Sequence, residues 1–434
     1  MADFMMDSCA VNENGSLTIA GVDTVALAKE YGTPLMVFDE DNIRRIARMY
    51  KNAMKKYFGD DSRPLFASKA LSFKGIYRIM AEEGIGSDAV SSGELYTAKS
   101  AGFDIGNMVF HGNNKTDSDI EYAIELGVGR FVVDGEEELK AINEIAAKKG
   151  IRQKIEIRIT PGIDPHTHKA ISTGRVDSKF GNAIATGQAE KITEMALGME
   201  NIELMGFHCH IGSQIFDTEP FISAAEIMIK YIAHIKQSLG FMAKELNLGG
   251  GFGVRYVKEH PYFDYEDAIR VIALNMKKQA ALNGIMLPAI FMEPGRSMVA
   301  ASGLTLYTVG AVKRIPDMKN YVSVDGGMAD NPRYALYQSQ YEIVVANKAD
   351  KKADFVCSVA GRCCESGDLL AENINLQQAE KGDILAVLVT GAYNYSMASN
   401  YNRLPRPEIL MIKDGKPYVA VKRESFEDLI KNDI

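Results

Sequence analysis

Residues with reactive side chains, and loops of glycine and proline, follow short apolar runs along the first two-thirds of this chain. In chain order they are Lys69, Asp88, His111, Arg158, His208, His210, Gly249, Gly250, Gly251, Glu293, Pro294, Gly295 and Arg296. A lysine amine can form an imine with a carbonyl compound. Backbone N–H groups of a glycine loop can hold a phosphate. The residue types therefore point to imine chemistry beside a phosphate site, provided that the fold gathers them.

Each of these residues also has an ordinary structural interpretation. A single lysine after a strand is usually a solvated loop residue, and three glycines often mark only a tight turn. His208 and His210 would share one face of a strand that stayed regular through both, which is the geometry of a two-histidine metal site. Such a site needs further ligands, and no carboxylate or cysteine cluster stands at metal spacing, so we predict no metal.

Eight short apolar runs, separated by longer amphipathic segments, are the elements that would position these residues. Strands that alternate with helices indicate a parallel sheet, and eight such units predict a closed (β/α)₈ TIM-type barrel. The predicted strands are residues 64–68, 84–88, 108–110, 130–133, 155–159, 203–209, 244–248 and 289–292. Barrel enzymes carry their chemistry at the C-terminal ends of the strands, which is where the reactive residues fall.

After about residue 297, strand-like stretches follow one another with turns between them. This pattern predicts a C-terminal all-β domain of sandwich or barrel type, and its last two strands flank the hairpin signal Asp414-Gly415. A strand candidate at residues 16–19 could pair with this domain and make it discontinuous. We therefore predict a barrel of residues 36–296 and a β domain of residues 1–35 and 297–434.

Composition excludes several classes of function. The chain has 434 residues and a net charge of -8, which argues against a nucleic-acid partner. No apolar run approaches the roughly 20 residues of a membrane helix, and the N-terminus lacks a signal-peptide pattern. The five cysteines are an odd count, so we expect free thiols in a reducing cytoplasm. Composition thus favours a soluble protein of the cytoplasm, and the small-molecule substrate has to be inferred from the residues at the strand ends.

The residues at the barrel mouth suit pyridoxal 5'-phosphate. Lys69 would form the imine, and a histidine ring could rest against the flat cofactor. Glu293 could keep the pyridine nitrogen protonated, which makes the ring an electron sink. Barrels often bind phosphate with the loops after strands seven and eight, where the glycine run 249–251 and Gly295 stand.

A series of motifs extends this interpretation over most of the chain. The motifs are Phe-Ala-Ser-Lys-Ala at 66–70, Ser-Gly-Glu-Leu at 92–95, Lys-Phe-Gly at 179–181, His-Cys-His-Ile-Gly-Ser-Gln at 208–214, the glycine run at 249–251, Glu-Pro-Gly-Arg at 293–296, Asp-Gly-Gly-Met at 325–328, Cys-Cys-Glu-Ser-Gly-Asp at 363–368 and Gly-Ala-Tyr at 391–393. In this order and spacing, from about residue 35 to 410, they resemble the fold-type III pyridoxal phosphate-dependent decarboxylases.

The resemblance implies a role for each matching residue. It identifies Lys69 as the imine lysine, His210 as the ring that stacks on the cofactor, and Glu293 as the partner of the pyridine nitrogen. The implied phosphate contacts are Ser213, Gly249, Gly250, Gly251, Glu293, Pro294, Gly295 and Arg296, and Asp88, Arg158 and Tyr393 complete the cofactor shell. The implied substrate shell is Arg296, Arg333, Tyr337, Glu365 and Tyr393, and Cys364 is implied as the proton donor.

The distal end of the substrate separates members of this family. Meso-2,6-diaminopimelate carries a carboxylate there, for which Arg296 and Arg333 are suited, and an ammonium, for which Glu365 is suited. Ornithine-type members of the family have aspartate after the corresponding cysteine, whereas this chain has Glu365 after Cys364. The resemblance therefore implies decarboxylation to L-lysine and CO₂, the last step of lysine biosynthesis. The alternatives are decarboxylation of another basic amino acid or of carboxynorspermidine, or racemisation on the same fold.

The resemblance also implies a homodimer, in which Cys364 and Glu365 reach the partner's site. Two departures from the family pattern stand out. Leucine follows the motif at 66–70 where asparagine is common, and Tyr334 follows Arg333 where proline is more usual. The glycines and polar residues of the segment 165–181 allow mobility, and the sequence leaves open whether this segment closes over the substrate.

Overall fold

The computed structural model describes residues 6–163 and 179–434, so most of the segment 165–181, whose closure over the substrate the sequence left open, lies outside the described residues. The chain divides into two compact units. One, the barrel unit, comprises Ile46–Gly253 and Tyr262–Gly295. The other, the sheet unit, comprises Met1–Arg45, Val254–Pro261 and Arg296–Ile434. The helix Glu40–Phe58 spans the boundary at residue 45.

Eight parallel strands close into a barrel in the barrel unit. Each strand pairs with the next along the chain, and the eighth pairs with the first, which closes the sheet. The strands are Arg63–Phe66, Gly86–Ala89, Met108–Phe110, Arg130–Val133, Gln153–Thr160, Ile202–His208, Glu245–Asn247 and Ala289–Met292. A short strand, Asn182–Ala183, is added beside the fifth. The predicted TIM-type barrel is confirmed.

Helices connect the strands and begin and end at sequence signals. Thr116 forms a capping box with Asp119 at the start of one of them. Another has three glutamates in its first turn and ends at left-handed Gly150, as helix electrostatics and C-capping favour. The helices are Lys74–Glu82, Ser92–Ser100, Asp117–Glu125, Glu136–Lys149, Gln188–Leu197, Glu219–Leu239 and Tyr265–Leu282.

The inside of the barrel is apolar in one layer and charged in the next. Leu65, Val109, Val132 and Phe291 form a buried apolar cluster. Near the starts of the strands, Arg130 donates two hydrogen bonds of 2.6 Å to the carboxylate of Glu245, and both side chains are buried. The barrel therefore contains an ion pair that water does not solvate.

The larger sheet of the sheet unit mixes parallel and antiparallel pairs. Its strands run in the order Leu369–Leu376, Phe355–Ala360, Asn320–Val324, Gly303–Arg314, Leu35–Asp39, Glu408–Lys413 and Lys416–Val421, with Ile384–Val387 and Ile343–Val345 joined at one side. The helices of the sheet unit are Thr24–Tyr31, Arg296–Val299, Arg333–Tyr337, Asn394–Met397 and Phe426–Ile430. A separate sheet-rich domain is thus confirmed.

The N-terminal residues join this unit differently from the prediction. The strand at 16–19 forms as Leu17–Ile19, but it pairs with Cys9–Val11 and Val22–Asp23 in a small sheet of its own, so its pairing with the C-terminal domain is wrong. Leu35–Asp39 makes that connection, because it pairs with Gly303–Arg314 and Glu408–Lys413. All five of its residues are buried. The unit boundary consequently lies at residue 45, and not at 35.

Two composition-based expectations can be compared with the structure. All five cysteines are free thiols, as expected from their odd number. Across residues 6–163 and 179–434, no helix combines the length and apolar character needed to cross a membrane.

We expect Arg130→Met to destabilise the protein by about 3–5 kcal/mol, because it leaves the buried Glu245 carboxylate without its cation. Lys56→Met is the matched control, since Lys56 and Glu266 form an exposed pair worth about 0–1 kcal/mol. Urea unfolding of both variants measures the difference. Equal losses in the two would show that the buried pair contributes nothing particular to stability.

Candidate active site

Lys69 lies in the short turn Ser68–Ala70, directly after the first barrel strand, and its side chain is exposed. The buried carboxylate of Asp88, at the end of the second strand, accepts a hydrogen bond of 2.7 Å from the backbone N–H of Ser68. Burial raises the pKa of Asp88 well above its usual value, and Glu293 adds to this, while the charge of Lys69 opposes it. Asp88 therefore fixes the turn that carries Lys69.

The buried carboxylate of Glu293 has three side-chain hydrogen-bond partners in the barrel unit. Its Oε1 accepts hydrogen bonds from His111 Nε2 at 2.8 Å and from Asn247 Nδ2 at 2.7 Å. Its Oε2 lies 3.3 Å from His208 Nε2. The carboxylate needs donors, so both imidazoles carry their proton on Nε2. Three strands and the loop after the eighth thus converge on one side chain.

The electrostatics keep Glu293 ionised. Burial works to raise the pKa of Glu293, but His111 and His208 outweigh it and hold that pKa well below its usual range. Burial also lowers the pKa of His111, and it lowers that of His208 to about 4. Near neutral pH the two rings are therefore neutral N–H donors, and Glu293 is an anion stabilised by hydrogen bonds.

The structure places the histidines differently from the pair considered for a metal. The sixth strand ends at His208, so strand geometry does not bring His208 and His210 together. Instead His111, His208 and Glu293 have ligand atoms within 4.8 Å of one another, a donor set that zinc accepts. Because both rings already donate to Glu293, hydrogen bonding alone accounts for this cluster. The predicted absence of a metal stays a prediction.

His210 and Arg158 complete the polar groups around these carboxylates. Burial, followed by the charges of Lys69 and Arg158, lowers the pKa of His210 well below its usual value. Arg158 is buried late in the fifth strand, and its guanidinium lies 4.4 Å from the ring centre of Phe180. His210 is accordingly a neutral ring suited to stacking and not to ion pairing.

The glycine run after the seventh strand packs backbone against backbone. A Cβ on Gly250 would lie 2.2 Å from the carbonyl oxygen of Glu293, and one on Gly251 would lie 2.4 Å from that of Gly212. Gly249 donates its N–H to Asn247 Oδ1 at 3.0 Å and accepts from the N–H of Glu293 at 2.7 Å. Side chains are thus excluded where these loops meet.

The other predicted phosphate contacts border this run. Ser213 lies half-buried in the loop after the sixth strand, next to Gly212. Pro294 accepts a hydrogen bond of 3.2 Å from the N–H of Ala67, and a Cβ on Gly295 would lie 2.7 Å from the Cβ of Ala67. The loops after the first, sixth, seventh and eighth strands are therefore tied together by their backbones.

A second cluster, in the sheet unit, contains both predicted substrate arginines. The guanidinium carbons of Arg296 and Arg333 lie 4.7 and 5.6 Å from the ring centre of Tyr393. Arg333 also donates to the hydroxyls of Tyr341 at 2.9 Å and Ser339 at 3.1 Å. Its guanidinium lies 5.8 Å from the ring of Tyr337. The structure thus groups Arg296, Arg333, Tyr337 and Tyr393, as the site prediction requires.

Tyr334, the departure beside Arg333, is accommodated by a partner on a neighbouring strand. It lies in the helix Arg333–Tyr337, and its hydroxyl donates to Glu372 Oε2 at 2.9 Å. The tyrosine therefore points its hydroxyl to a strand of the sheet, while Arg333 keeps its own contacts.

Cys364 and Glu365 are exposed on a loop that Asp368 organises. Asp368 accepts from the backbone N–H of Cys363 at 2.7 Å and of Met328 at 2.6 Å. The N–H of Cys364 donates to Asn402 Oδ1 at 2.8 Å. Asp368 thereby joins the motif at 325–328 to the motif at 363–368 and presents Cys364 at the surface.

Sequence reasoning missed three residues of these clusters and gave a fourth no role. Asn247 had a readable signal, because it is a polar residue between two leucines, two positions before three glycines. Tyr256, whose hydroxyl accepts a hydrogen bond of 2.8 Å from Arg296 Nη1, and Tyr341 had none, since only tertiary packing brings them to the arginines. His111 stood out in the sequence, but its bond to Glu293 was not foreseen.

Comparison with known proteins relates the chain to one family. The model of the "Pyridoxal-dependent decarboxylase, pyridoxal binding domain" family matches residues 40–300. A diaminopimelate decarboxylase of Bacillus methanolicus is 47% identical over 95% of this chain and 96% of its own. That of Bacillus subtilis (strain 168) is 44% identical over 99% of this chain and 98% of its own. The crystal structure of the enzyme from M. jannaschii with L-lysine is 35% identical, with a TM-score of 0.91 over 100% of this chain and 99% of that one.

We expect His208 to make the protein less stable in acid. Its folded pKa of about 4 lies below the ordinary value of 6.5, so below pH 6.5 the unfolded chain binds more protons and stability falls as pH falls. At pH 5 the free energy of unfolding is lower by about 2 kcal/mol from this group alone. His208→Gln should lose that part of the pH dependence in urea unfolding between pH 7 and pH 5, whereas His234→Gln, at an exposed histidine, should keep it. An unchanged slope in His208→Gln would contradict the expectation.

Proposed function

The chain belongs to the pyridoxal-dependent decarboxylase family and, within it, to the diaminopimelate decarboxylases, and we propose that it converts meso-2,6-diaminopimelate to L-lysine and CO₂ with pyridoxal 5'-phosphate. Relatives of this name match it along almost their whole length. The reaction is that of a carboxy-lyase.

The residues of the barrel unit fit this cofactor. A basic pyridine nitrogen needs a carboxylate that stays ionised, and Glu293 is held in that state by three N–H donors. A phosphate is commonly bound by backbone N–H groups of a glycine loop, and the run 249–251 is such a loop, in which the N–H of Gly249 already donates to Asn247 Oδ1. An aldehyde needs an accessible amine, and Lys69 is exposed.

We assign the cofactor contacts from that fit. Lys69 would hold the aldehyde carbon covalently, Glu293 the pyridine nitrogen, and His210 one face of the ring. The phosphate would be held by the glycine run and Ser213, with Gly295 beside them. When bound, the protonated ring accepts the electron pair that departing CO₂ leaves behind.

The remaining steps fall to side chains of the chain itself. Asp88, whose pKa burial raises, can hold a proton beside Lys69 while it fixes the turn. Glu293 keeps the pyridine proton in place. Cys364 would return a proton to the carbon that lost CO₂, which is the role that the family resemblance assigns to it. A thiol in this role must stay reduced, which accords with a cytoplasmic location.

Arg333 carries the assignment of a substrate with a distal carboxylate. It is buried, and its hydrogen bonds run to the neutral hydroxyls of Tyr341 and Ser339. Among the described residues no carboxylate forms an ion pair with it, so its charge is available to an anion. Arg296 and Arg333 both lie against the ring of Tyr393. Together they suit the distal carboxylate of diaminopimelate, and Glu365 suits the distal ammonium.

The purified protein, supplied with cofactor, should release CO₂ and L-lysine from meso-diaminopimelate and little product from L-ornithine. Lys69→Ala should abolish both turnover and the visible imine absorption, since no amine remains to bond the aldehyde. Lys74→Ala, at an exposed lysine in the next helix, should keep both. A wild-type protein that releases no CO₂ from meso-diaminopimelate would refute the proposed function.

We also propose that the enzyme is a homodimer in which each Cys364 serves the site of the partner subunit. The exposure of Cys364 and Glu365 supports this, because both side chains are presented outward by an ordered loop. The family resemblance assigns them the same role.

Heterodimers test the shared site. Lys69→Ala and Cys364→Ala homodimers should both be nearly inactive. A purified heterodimer with one mutation in each subunit should recover about half of the wild-type activity, because one of its two sites then has both intact residues. An inactive heterodimer would show that each Cys364 serves its own subunit.

A further inference from the structure

Tyr256 lies between the two substrate arginines of the sheet unit. Its hydroxyl accepts a hydrogen bond of 2.8 Å from Arg296 Nη1. The guanidinium carbons of Arg296 and Arg333 lie 5.9 and 5.7 Å from the centre of its ring. The ring of Tyr341 meets it edge-on at 5.4 Å. Tyr256 is itself buried, with 3% of its surface exposed, so these contacts account for its environment.

Two buried guanidinium groups that lie against one ring carry like charges and repel each other. A cation is attracted to the face of an aromatic ring, and more strongly when water is excluded. Tyr256 offers one ring to both cations and a hydroxyl oxygen to one of them. Burial works to raise the pKa of Tyr256, but the charges of Arg296 and Arg333 outweigh it and lower the pKa. The phenol oxygen is therefore a strong acceptor at the point where positive charge is concentrated.

We propose that Tyr256 is a positioning residue for substrate specificity, which holds Arg296 and Arg333 in register to receive the distal carboxylate of the substrate. The inference rests on the proposed function, because it assumes that the two arginines bind that carboxylate. Tyr256 acts through Arg296 and Arg333, and it takes no part in the proton transfers.

Two ligands that differ by one carboxylate isolate this role. L-lysine carries the distal carboxylate and ammonium, whereas 1,5-diaminopentane has the same carbon chain and amines without the carboxylate. If Tyr256 orders the carboxylate site, its loss weakens binding of the first ligand and leaves the second unchanged. A general distortion of the active site would weaken both.

Calorimetric titration of the holoenzyme with each ligand measures the effect. Tyr256→Phe keeps the ring and removes the hydroxyl, so the Kd for L-lysine should rise about tenfold, which is the scale of one hydrogen bond to a charged group. Tyr256→Leu also removes the ring and should raise that Kd about a hundredfold. Neither should change the Kd for 1,5-diaminopentane by more than about twofold, a change too small for a lost contact.

Tyr418→Phe is the matched control, because Tyr418 donates its hydroxyl to Glu40 elsewhere in the sheet unit. It should leave both dissociation constants unchanged. In turnover of meso-diaminopimelate, Tyr256→Phe should raise KM and keep kcat, as loss of uniform binding requires. Equal weakening of both ligands, or no change in L-lysine binding, would overturn the role of Tyr256. A wild-type holoenzyme that does not turn over diaminopimelate would instead overturn the proposed function.

Discussion

The buried carboxylate of Glu293 is the interaction on which the barrel site depends. An isolated buried carboxylate would take up a proton to escape the cost of desolvation. Here three N–H donors, from His111, His208 and Asn247, replace the water that burial removes. Each donor comes from the end of a different strand, and closure of the barrel brings these three strand ends close to one carboxylate. A carboxylate that stays charged without a cation is also the partner that a protonated pyridine nitrogen requires.

The sheet unit solves the opposite problem, since it buries positive charge. Arg333 is held by the rings of Tyr337 and Tyr393 and by the hydroxyls of Tyr341 and Ser339, which stabilise a cation without neutralising it. An acidic partner would have bound this arginine more tightly but would have occupied it. In both units neutral groups thus keep a charged side chain in place while its charge stays available for a ligand.

The sequence predicted the barrel well because its signal is periodic. Three of its eight strands, including Met108–Phe110, match the predicted bounds, and the candidate residues occupy the strand ends. The strand Leu35–Asp39 was missed because its five consecutive buried residues show no alternation, and periodicity alone does not distinguish such a run from a buried helix segment. Motifs located Lys69 and Arg333, but the residues that hold them act across long stretches of chain. Tyr256 and Tyr341 are ordinary tyrosines until folding brings them to one guanidinium, and no local pattern records that.

Asn247 uses both ends of its amide, one toward Glu293 and one toward the N–H of Gly249. Aspartate would offer an oxygen to both and face Glu293 with a second negative charge, and leucine would satisfy neither. Glutamine has the right groups on a chain one carbon too long for a strand end with no exposed surface. None of these three residues can therefore replace asparagine at position 247 and keep both hydrogen bonds. Among related sequences we expect position 247 to change only together with the carboxylate at 293 or the glycine at 249, so that the three positions covary.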